Sequence, residues 1–256
     1  MPNIIFNSYC NRNCVYCFAQ KKNEGPYKQL SLDNLVIISD FLEKSHTNQV
    51  TVLGGEPTLH PEFNLFLRYL ISRGFTISVF SNGMINPPVL KEIREIIHEW
   101  QLDYKKLKFI INVNEPKYRS VQENEMEEKT FQELSQFISL SFNIFEKSCN
   151  MDFLVDLILD FNLIPRIRLG LAAPILGKEN KFLPIKDYRI IAGKIIKLSE
   201  LCQQNSIDFG FDCGFPLCIF SDENIGKLYK NMTRLQFVCE PVIDIDAELN
   251  TIYCYP

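Results

Sequence analysis

Three cysteines stand close together near the start of the sequence, and their spacing is the clearest chemical signal in the chain. Cys10, Cys14 and Cys17 are separated by three and then by two residues. Three thiols this close on a tight loop can converge on one metal site. A closed structural zinc site takes four ligands, and so does an ordinary cubane cluster in an electron carrier. Three cysteines on a four-iron cluster therefore leave one iron open to a ligand from outside the protein.

Two other interpretations of these cysteines stay open at this stage. A zinc site completed by a remote fourth ligand uses the same three thiols. In a secreted protein they would instead form disulfides, but the opening residues contain no basic segment followed by a long apolar core, so we expect no signal peptide.

A second motif follows the next predicted strand. Gln49–Leu53 is short and β-branched, and it runs directly into Gly54-Gly55-Glu56-Pro57. Two glycines allow a sharp turn and a close approach of the backbone to a ligand. Glu56 then presents a carboxylate at the carboxyl end of the strand. The alternative is a tight strand-to-helix turn that binds nothing.

Together, the cysteine spacing, Tyr16 beside the last cysteine, and the Gly-Gly-Glu-Pro motif resemble the signature of the radical SAM superfamily. The resemblance implies a [4Fe-4S] cluster on the three cysteines, with its open iron chelated by S-adenosylmethionine (SAM). It implies that Tyr16 lies near the adenine and that the Glu56 motif accepts hydrogen bonds from the methionine ammonium. The implied activity is reductive cleavage of SAM to a 5′-deoxyadenosyl radical, which abstracts hydrogen from a substrate C–H bond.

Later strand ends carry further candidate contacts to SAM. Ser81 and Asn82 are expected to contact the ribose, and the competing interpretation is a polar turn. Asn112 and Asn143 are expected to make polar contacts, and the alternative for Asn112 is a polar cap. Arg168 is expected to pair with a carboxylate, against a salt bridge on the outer layer, and Leu169 to form an apolar floor under the adenine, against core packing.

Strands alternate with helices along most of the chain, which predicts parallel βαβ units. Six such units fit an α/β fold, a partial (β/α)6 TIM-like barrel, over residues 1–210. The candidate ligands then lie at the carboxyl ends of strands, where such folds place their active sites. One helix, predicted over 125–138, is so charged that most of its charges are expected to form a solvated face.

The tail, residues 211–256, holds a second group of cysteines and a predicted β-hairpin. It resembles the SPASM and Twitch extensions of radical SAM enzymes, which hold auxiliary iron–sulfur clusters. Four cysteines suffice for one complete auxiliary [4Fe-4S] cluster; the alternative is unligated or zinc-binding thiols. The four are Cys213, Cys218, Cys239 and Cys254, whereas the isolated Cys149 and Cys202 are expected to be buried structural thiols.

Composition limits the partners. The chain has 256 residues, 46% of them hydrophobic, and a formal net charge of −4 with both signs mixed. The absence of a basic patch argues against a nucleic-acid partner, and no apolar run is long enough to span a membrane. We therefore expect a cytoplasmic protein that takes electrons from a flavodoxin- or ferredoxin-type donor.

The substrate class is less constrained than the cofactor. The tail favours modification of a ribosomally made peptide. The alternatives are an oxidoreductase or mutase acting on a small molecule such as a sugar, alcohol or amine, and, in a different class, a non-catalytic iron–sulfur electron carrier. The sequence assigns no catalytic acid or base.

Overall fold

The computed structural model describes residues 1–17, 26–175, 177, 179–212, 215–231 and 241–253. The strands are β1 (Asn3–Ile5), β2 (Gln49–Leu53), β3 (Thr76–Ser81), β4 (Leu107–Asn112), β5 (Ile138–Ile144), β6 (Arg166–Leu171), β7 (Asp208–Phe211), β8 (Ile243–Ile245) and β9 (Thr251–Tyr253). The helices are α1 (Leu32–Lys44), α2 (Phe63–Ser72), α3 (Pro87–Glu99), α4 (Val121–Leu134), α5 (Phe153–Phe161), α6 (Tyr188–Gln204) and α7 (Asp222–Asn231).

All nine of these strands belong to one sheet, in the order β7-β6-β5-β4-β3-β2-β1-β8-β9. Every neighbouring pair is parallel except β8 and β9, which form an antiparallel hairpin. Each of β1 to β6 is followed by a helix, and β7 closes the series. The predicted partial (β/α)6 barrel is therefore confirmed.

The two faces of the sheet differ sharply because side chains alternate along each strand. One face carries large apolar side chains such as Val79, Phe109 and Phe142, which are buried in a core shared with helix residues such as Leu70 and Phe131. On the other face, small and polar side chains stand in register across neighbouring strands. Asn112 is paired with Ser141 and Ser141 with Arg168, while Asn143 is paired with Gly170. This polar inner face leads up to the strand ends that carry the candidate ligands.

Helix caps explain where two of the helices begin. Ser31 caps α1, and its side chain accepts a hydrogen bond from Asn34 N at 3.2 Å. The helix predicted over 125–138 instead begins at Val121, because Ser120 and Glu123 form a reciprocal capping box. The predicted start at Glu125 was wrong because that Ser-x-x-Glu signal was overlooked.

The tail is joined to the barrel sheet. β8 pairs in parallel with β1, and Asn3 Nδ2 donates to Asp244 Oδ1 at 2.6 Å across this pair. The hairpin was predicted, but helix α7 was not; it packs on α6, where Asn231 Nδ2 donates to Ser199 Oγ at 3.0 Å. The division into units 1–210 and 211–256 stays a prediction, since the hairpin shares a sheet with β1. In the described part of the chain no helix is long and apolar enough to cross a membrane.

Candidate functional site

The cysteine loop follows β1 and lies over the ends of the neighbouring strands. Cys10 is buried, whereas Cys14 and Cys17 are half-buried, and none of the three forms a disulfide. A tight turn joins the last two, with Cys17 N donating to Cys14 O at 3.0 Å. Within the ranges that the structure describes, no three His, Cys, Asp or Glu side chains come close enough together to hold a single metal ion.

Nitrogen donors surround two of the sulfur atoms. Arg12 N lies 3.4 Å and Asn82 Nδ2 3.7 Å from Cys10 Sγ. Asn114 Nδ2 lies 3.8 Å from Cys14 Sγ. N–H groups aimed at sulfur favour thiolate ligands and are a known means of tuning iron–sulfur clusters.

The Gly-Gly-Glu-Pro turn is locked against the cysteine loop. Gly55 N donates to Asn7 O at 2.8 Å, and Glu56 N donates to Tyr9 O at 2.6 Å. A Cβ on Gly55 would overlap the Tyr9 carbonyl, and one on Gly54 would lie 2.9 Å from Asn7 O. We expected the two glycines to allow the close approach of a ligand. In this structure the backbone that approaches them belongs to the cysteine loop.

The carboxylate of Glu56 is fully buried, with 0% of the residue exposed. Its Oε1 accepts hydrogen bonds from Thr58 N at 3.2 Å, Thr58 Oγ1 at 2.7 Å and Ser81 Oγ at 2.9 Å. Its Oε2 accepts one from Asn82 N at 2.7 Å. Burial raises the pKa of Glu56, and these hydrogen bonds oppose that effect. Pro57 begins the short 3-10 turn that presents Thr58 to the carboxylate.

Ser81 and Asn82, which we expected to contact the ribose, tie the two motifs together. The hydroxyl of Ser81 donates to Glu56, as described above. Asn82 Nδ2 donates to Asn11 Oδ1 at 2.7 Å as well as facing Cys10 Sγ, and Asn82 Oδ1 accepts from Met84 N at 2.9 Å. The end of β3 is therefore built into the wall of the site, and the ribose contact stays a prediction.

Tyr16, which lies within the cysteine loop between Cys14 and Cys17, is buried. Its ring stacks on Phe145, with 5.1 Å between the ring centroids and 27° between the planes. Burial raises the pKa of Tyr16 well above its ordinary value, and the neighbouring Cys14 adds to the shift. The phenol therefore stays protonated near neutral pH and can donate a hydrogen bond.

A row of asparagines continues from the Tyr16 hydroxyl. Tyr16 OH donates to Asn114 Oδ1 at 2.8 Å and accepts from Asn112 Nδ2 at 2.7 Å. Asn143 Nδ2 donates to Asn112 Oδ1 at 3.0 Å. The predicted residues Tyr16, Asn112 and Asn143 thus come together. Asn114 was not predicted, although it alternates with Asn112 at the end of β4 and so offered a signal.

Arg12, inside the cysteine loop, was also not predicted as a site residue. Its buried guanidinium donates to Asn82 O at 3.0 Å and to Asn112 O at 3.3 Å, which ties the loop to the ends of β3 and β4. It also pairs with Glu127 Oε1 at 2.5 Å. Burial by itself would lower the pKa of Arg12, but the charge and hydrogen bond of Glu127 raise it above its ordinary value.

Glu127 lies on α4, whose charges were expected to form a solvated face. That expectation concerned most of the charges, and Glu125, Glu128 and Lys129 are exposed; Glu127 is the exception, since 0% of it is exposed and its Oε2 pairs with Arg119 at 2.6 Å. Glu127 shares its helical face with the buried Phe131 and Leu134. A carboxylate in an apolar stripe was the signal available in the sequence.

The last two predicted residues, Arg168 and Leu169, are neighbours in β6 and lie on opposite faces of the sheet. Arg168 NH2 pairs with Asp212 Oδ1 at 2.5 Å, and its guanidinium lies 4.7 Å from the centre of the Phe80 ring on the inner face. Leu169 is 0% exposed and belongs to the hydrophobic core. Strand alternation turns Leu169 away from the inner face, so the predicted adenine floor does not match its position.

The loop after β6 reaches back to the cysteine loop. Lys181 N donates to Val15 O at 2.9 Å, and Asn180 Nδ2 donates to Tyr16 O at 3.4 Å. The cysteine loop is therefore held from both sides, by the ends of β3 and β4 and by the β6–α6 connection.

Residues 4–105, which contain both motifs, match the family model of the Radical SAM superfamily. The chain contains a radical SAM domain. Among curated relatives, an S-adenosylmethionine-dependent nucleotide dehydratase from Selenomonas ruminantium is 33% identical over 91 residues, which are 34% of this chain and 32% of the relative. Mycofactocin maturase MftC from Mycobacterium ulcerans is 33% identical over 81 residues, covering 31% and 22% of the two chains. The chain thus matches about a third or less of the length of either relative.

Among solved structures, Streptococcus suis SuiB bound to its precursor peptide SuiA superposes with a TM-score of 0.67 at 13% identity. The match covers 98% of this chain and 58% of SuiB. At that identity the likeness concerns the fold alone. It supports the partial barrel fold over nearly the whole chain.

The match to the radical SAM family implies a [4Fe-4S] cluster and SAM. The residues present fit the cluster, because one loop offers three cysteines outside any disulfide and N–H donors face the sulfur atoms of two of them. In the tail, Cys213, Cys239 and Cys254 lie outside the described residues, and Cys218 is exposed. The auxiliary cluster stays a prediction.

Proposed function

We propose that this chain holds a [4Fe-4S] cluster on Cys10, Cys14 and Cys17 and uses SAM bound beside it to modify a ribosomally made peptide. The observation that carries the proposal is the direct packing of the Gly-Gly-Glu-Pro turn on the cysteine loop, through Gly55 N to Asn7 O and Glu56 N to Tyr9 O. This packing leaves the cluster ligands and the candidate ammonium acceptor no freedom to move apart.

When bound, the cluster and SAM would supply one-electron reduction and radical hydrogen abstraction from an unactivated C–H bond, which side chains alone cannot do. The residues of the chain position these groups and exclude water. We propose Glu56 Oε2 as the acceptor for the methionine ammonium, because Oε1 already accepts three hydrogen bonds and Oε2 only one. A cation at this buried carboxylate would also favour its ionised form.

Arg168 and Asp212 form an ion pair at the inner face next to the site. We propose Arg168 as the contact for a carboxylate of SAM or of the substrate, which it reaches by exchanging Asp212 for the ligand. The exchange replaces one charge-assisted hydrogen bond by another, so it costs little unless the ligand fits poorly.

The activity is tested by anaerobic reconstitution with iron and sulfide, followed by incubation with SAM and dithionite. We expect 5′-deoxyadenosine and methionine in equal amounts from the wild type and from the control Glu128→Gln, which changes an exposed side chain of α4. Cys14→Ala should yield neither product. Equal formation of 5′-deoxyadenosine by Cys14→Ala would contradict the assignment of the cluster loop.

Similarity to a mycofactocin maturase and the shared fold with the peptide-bound SuiB support a peptide substrate. We expect a peptide fraction from an extract of the source organism to stimulate 5′-deoxyadenosine formation, and protease treatment of that fraction to abolish the stimulation. Stimulation that comes only from the protease-resistant, low-mass fraction would instead favour a small-molecule oxidoreductase or mutase.

Two further assignments accompany this proposal. The tail cysteines Cys213, Cys218, Cys239 and Cys254 would hold an auxiliary [4Fe-4S] cluster, supported by their number alone. A flavodoxin- or ferredoxin-type donor in the cytoplasm would supply the electron.

A further inference from the structure

Four polar side chains form an unbroken hydrogen-bonded row that ends on a cluster ligand. Asn143 Nδ2 donates to Asn112 Oδ1 at 3.0 Å, and Asn112 Nδ2 donates to the Tyr16 hydroxyl at 2.7 Å. The hydroxyl donates to Asn114 Oδ1 at 2.8 Å, and Asn114 Nδ2 faces Cys14 Sγ at 3.8 Å. We call this row the asparagine–tyrosine relay.

Every bond in the relay points the same way. Asn143 donates at the start of the row, and each of the next three groups accepts a hydrogen bond from one side and donates towards Cys14 on the other. In such a chain each bond polarises the next, so a donor at one end strengthens the bond at the other. The relay therefore directs a polarised N–H donor at the sulfur atom of Cys14.

The fold holds the relay in place at both ends. Tyr16 is buried and stacked on Phe145, so its hydroxyl has one orientation relative to the asparagines. At the far end, Asn143 Oδ1 occupies the space that a side chain on Gly170 would need. The absence of a side chain at position 170 is thus what lets Asn143 lie against Asn112.

We propose that the asparagine–tyrosine relay sets the reduction potential of the cluster through Cys14, with the Tyr16 hydroxyl as a positioning group. The inference rests on the proposed cluster and deepens it: it assigns Tyr16 an electrostatic role through its hydroxyl beyond contact with the adenine.

The direction of the effect follows from charge. Reduction adds an electron to the cluster and increases the negative charge on its sulfur ligands. Hydrogen bonds to those ligands stabilise the reduced state more than the oxidised state, and so raise the potential. Loss of the relay should therefore make the cluster harder to reduce.

The test is an anaerobic redox titration of the reconstituted protein, followed by electron paramagnetic resonance of the reduced cluster. Tyr16→Phe removes the central hydroxyl and keeps the ring, while Asn114→Leu removes the donor to Cys14. The control is Tyr118→Phe, which removes a phenol hydroxyl from a ring that also contacts Phe145 and lies outside the relay.

We expect a more negative midpoint potential in Tyr16→Phe and Asn114→Leu, with a several-fold smaller ratio of reduced to oxidised cluster at the wild-type midpoint, and no change in Tyr118→Phe. A tenfold change in that ratio corresponds to 59 mV for a one-electron couple. Either relay variant that assembles a cluster is sufficient for this reading.

Wild-type potentials in every relay variant that assembles a cluster would overturn the inference and leave the proposed function intact. Failure of both relay variants to assemble a cluster that the wild type and Tyr118→Phe do assemble would also overturn it, because the residues would then act in loop structure alone. A wild type that binds no cluster would refute the proposed function and the inference together.

Discussion

Glu127 holds two buried guanidinium groups, and its replacement by glutamine tests whether this carboxylate anchors the cysteine loop. Its Oε1 lies 2.5 Å from Arg12 NH2 and its Oε2 lies 2.6 Å from Arg119 NH1. The exposed fractions of the three side chains are 0% for Glu127, 3% for Arg12 and 8% for Arg119. Glutamine keeps the shape of the side chain but removes its charge.

The size of the effect follows from the charge that remains. With Glu127 present, two arginines face two carboxylates, since Glu123 Oε1 lies 3.1 Å from Arg12 Nε. In the Glu127→Gln variant, one buried positive charge loses its partner. Breaking a buried ion pair by removing one partner costs about 3–5 kcal/mol of unfolding free energy. In a domain of this size that corresponds to a decrease in Tm of roughly 6–20 °C.

The assay is thermal and urea unfolding of the metal-free protein, with E128Q as the matched control. Glu128 is the next residue on α4 and is exposed, so its replacement should leave the midpoint unchanged. The loss in E127Q should persist at about 1 M salt, because buried pairs are screened much less than exposed ones. Since Arg12 lies between Cys10 and Cys14, we also expect E127Q to take up less iron on reconstitution.

A decrease in stability of less than about 1 kcal/mol would refute this reasoning, because exposed ion pairs contribute that much or less. An effect that disappears in high salt would refute it in the same way. Either result would mean that Glu127 is hydrated in solution and that the cysteine loop is held by its other contacts.

Two further predictions concern the backbone and the thiols. Gly55→Ala should lose about 1–3 kcal/mol of stability through overpacking and should load less iron, because the added methyl overlaps the cysteine-loop backbone. The control Gly193→Ala, whose added methyl meets open space in α6, should be neutral or stabilising. Equal iron contents in the two variants would contradict the packing of Gly55 on the cysteine loop. Burial raises the pKa of Cys149 to about 11 and of Cys202 to about 12, so both stay protonated at pH 8. Mass spectrometry after iodoacetamide treatment of the metal-free protein should therefore find them unmodified while the exposed Cys218 is alkylated, and rapid modification of either buried thiol would show that its surroundings open in solution.

The chemistry and the fold of the barrel were readable from local patterns. Strand Gln49–Leu53 has the predicted bounds, because β-branched residues mark it directly. The two motifs were recognised because their residue types and spacing are themselves the signal. The overlooked capping box at Ser120 was equally local, so the misplaced start of α4 was an avoidable error.

The contacts that organise the site were not readable in this way. Arg12 and Glu127 are 115 positions apart, and no local pattern joins a loop arginine to a particular carboxylate on a distant helix. The role of Gly55 depends on which backbone it faces, and that is decided by how β1 and β2 pair. Leu169 and Arg168 are adjacent in β6, so strand alternation puts their side chains on opposite faces of the sheet. Only the packing of the helices shows that the face of Leu169 is the hydrophobic core.

The most direct test of the central claim is the iron and sulfide content per chain after anaerobic reconstitution, measured for the wild type and for a variant with alanine at positions 10, 14 and 17. We expect about eight irons in the wild type and about four in the variant, as for two [4Fe-4S] clusters of which one needs the cysteine loop. About four irons in the wild type and none in the variant would keep the SAM cluster and remove the auxiliary cluster. Equal iron in both proteins would contradict the assignment of Cys10, Cys14 and Cys17 as cluster ligands.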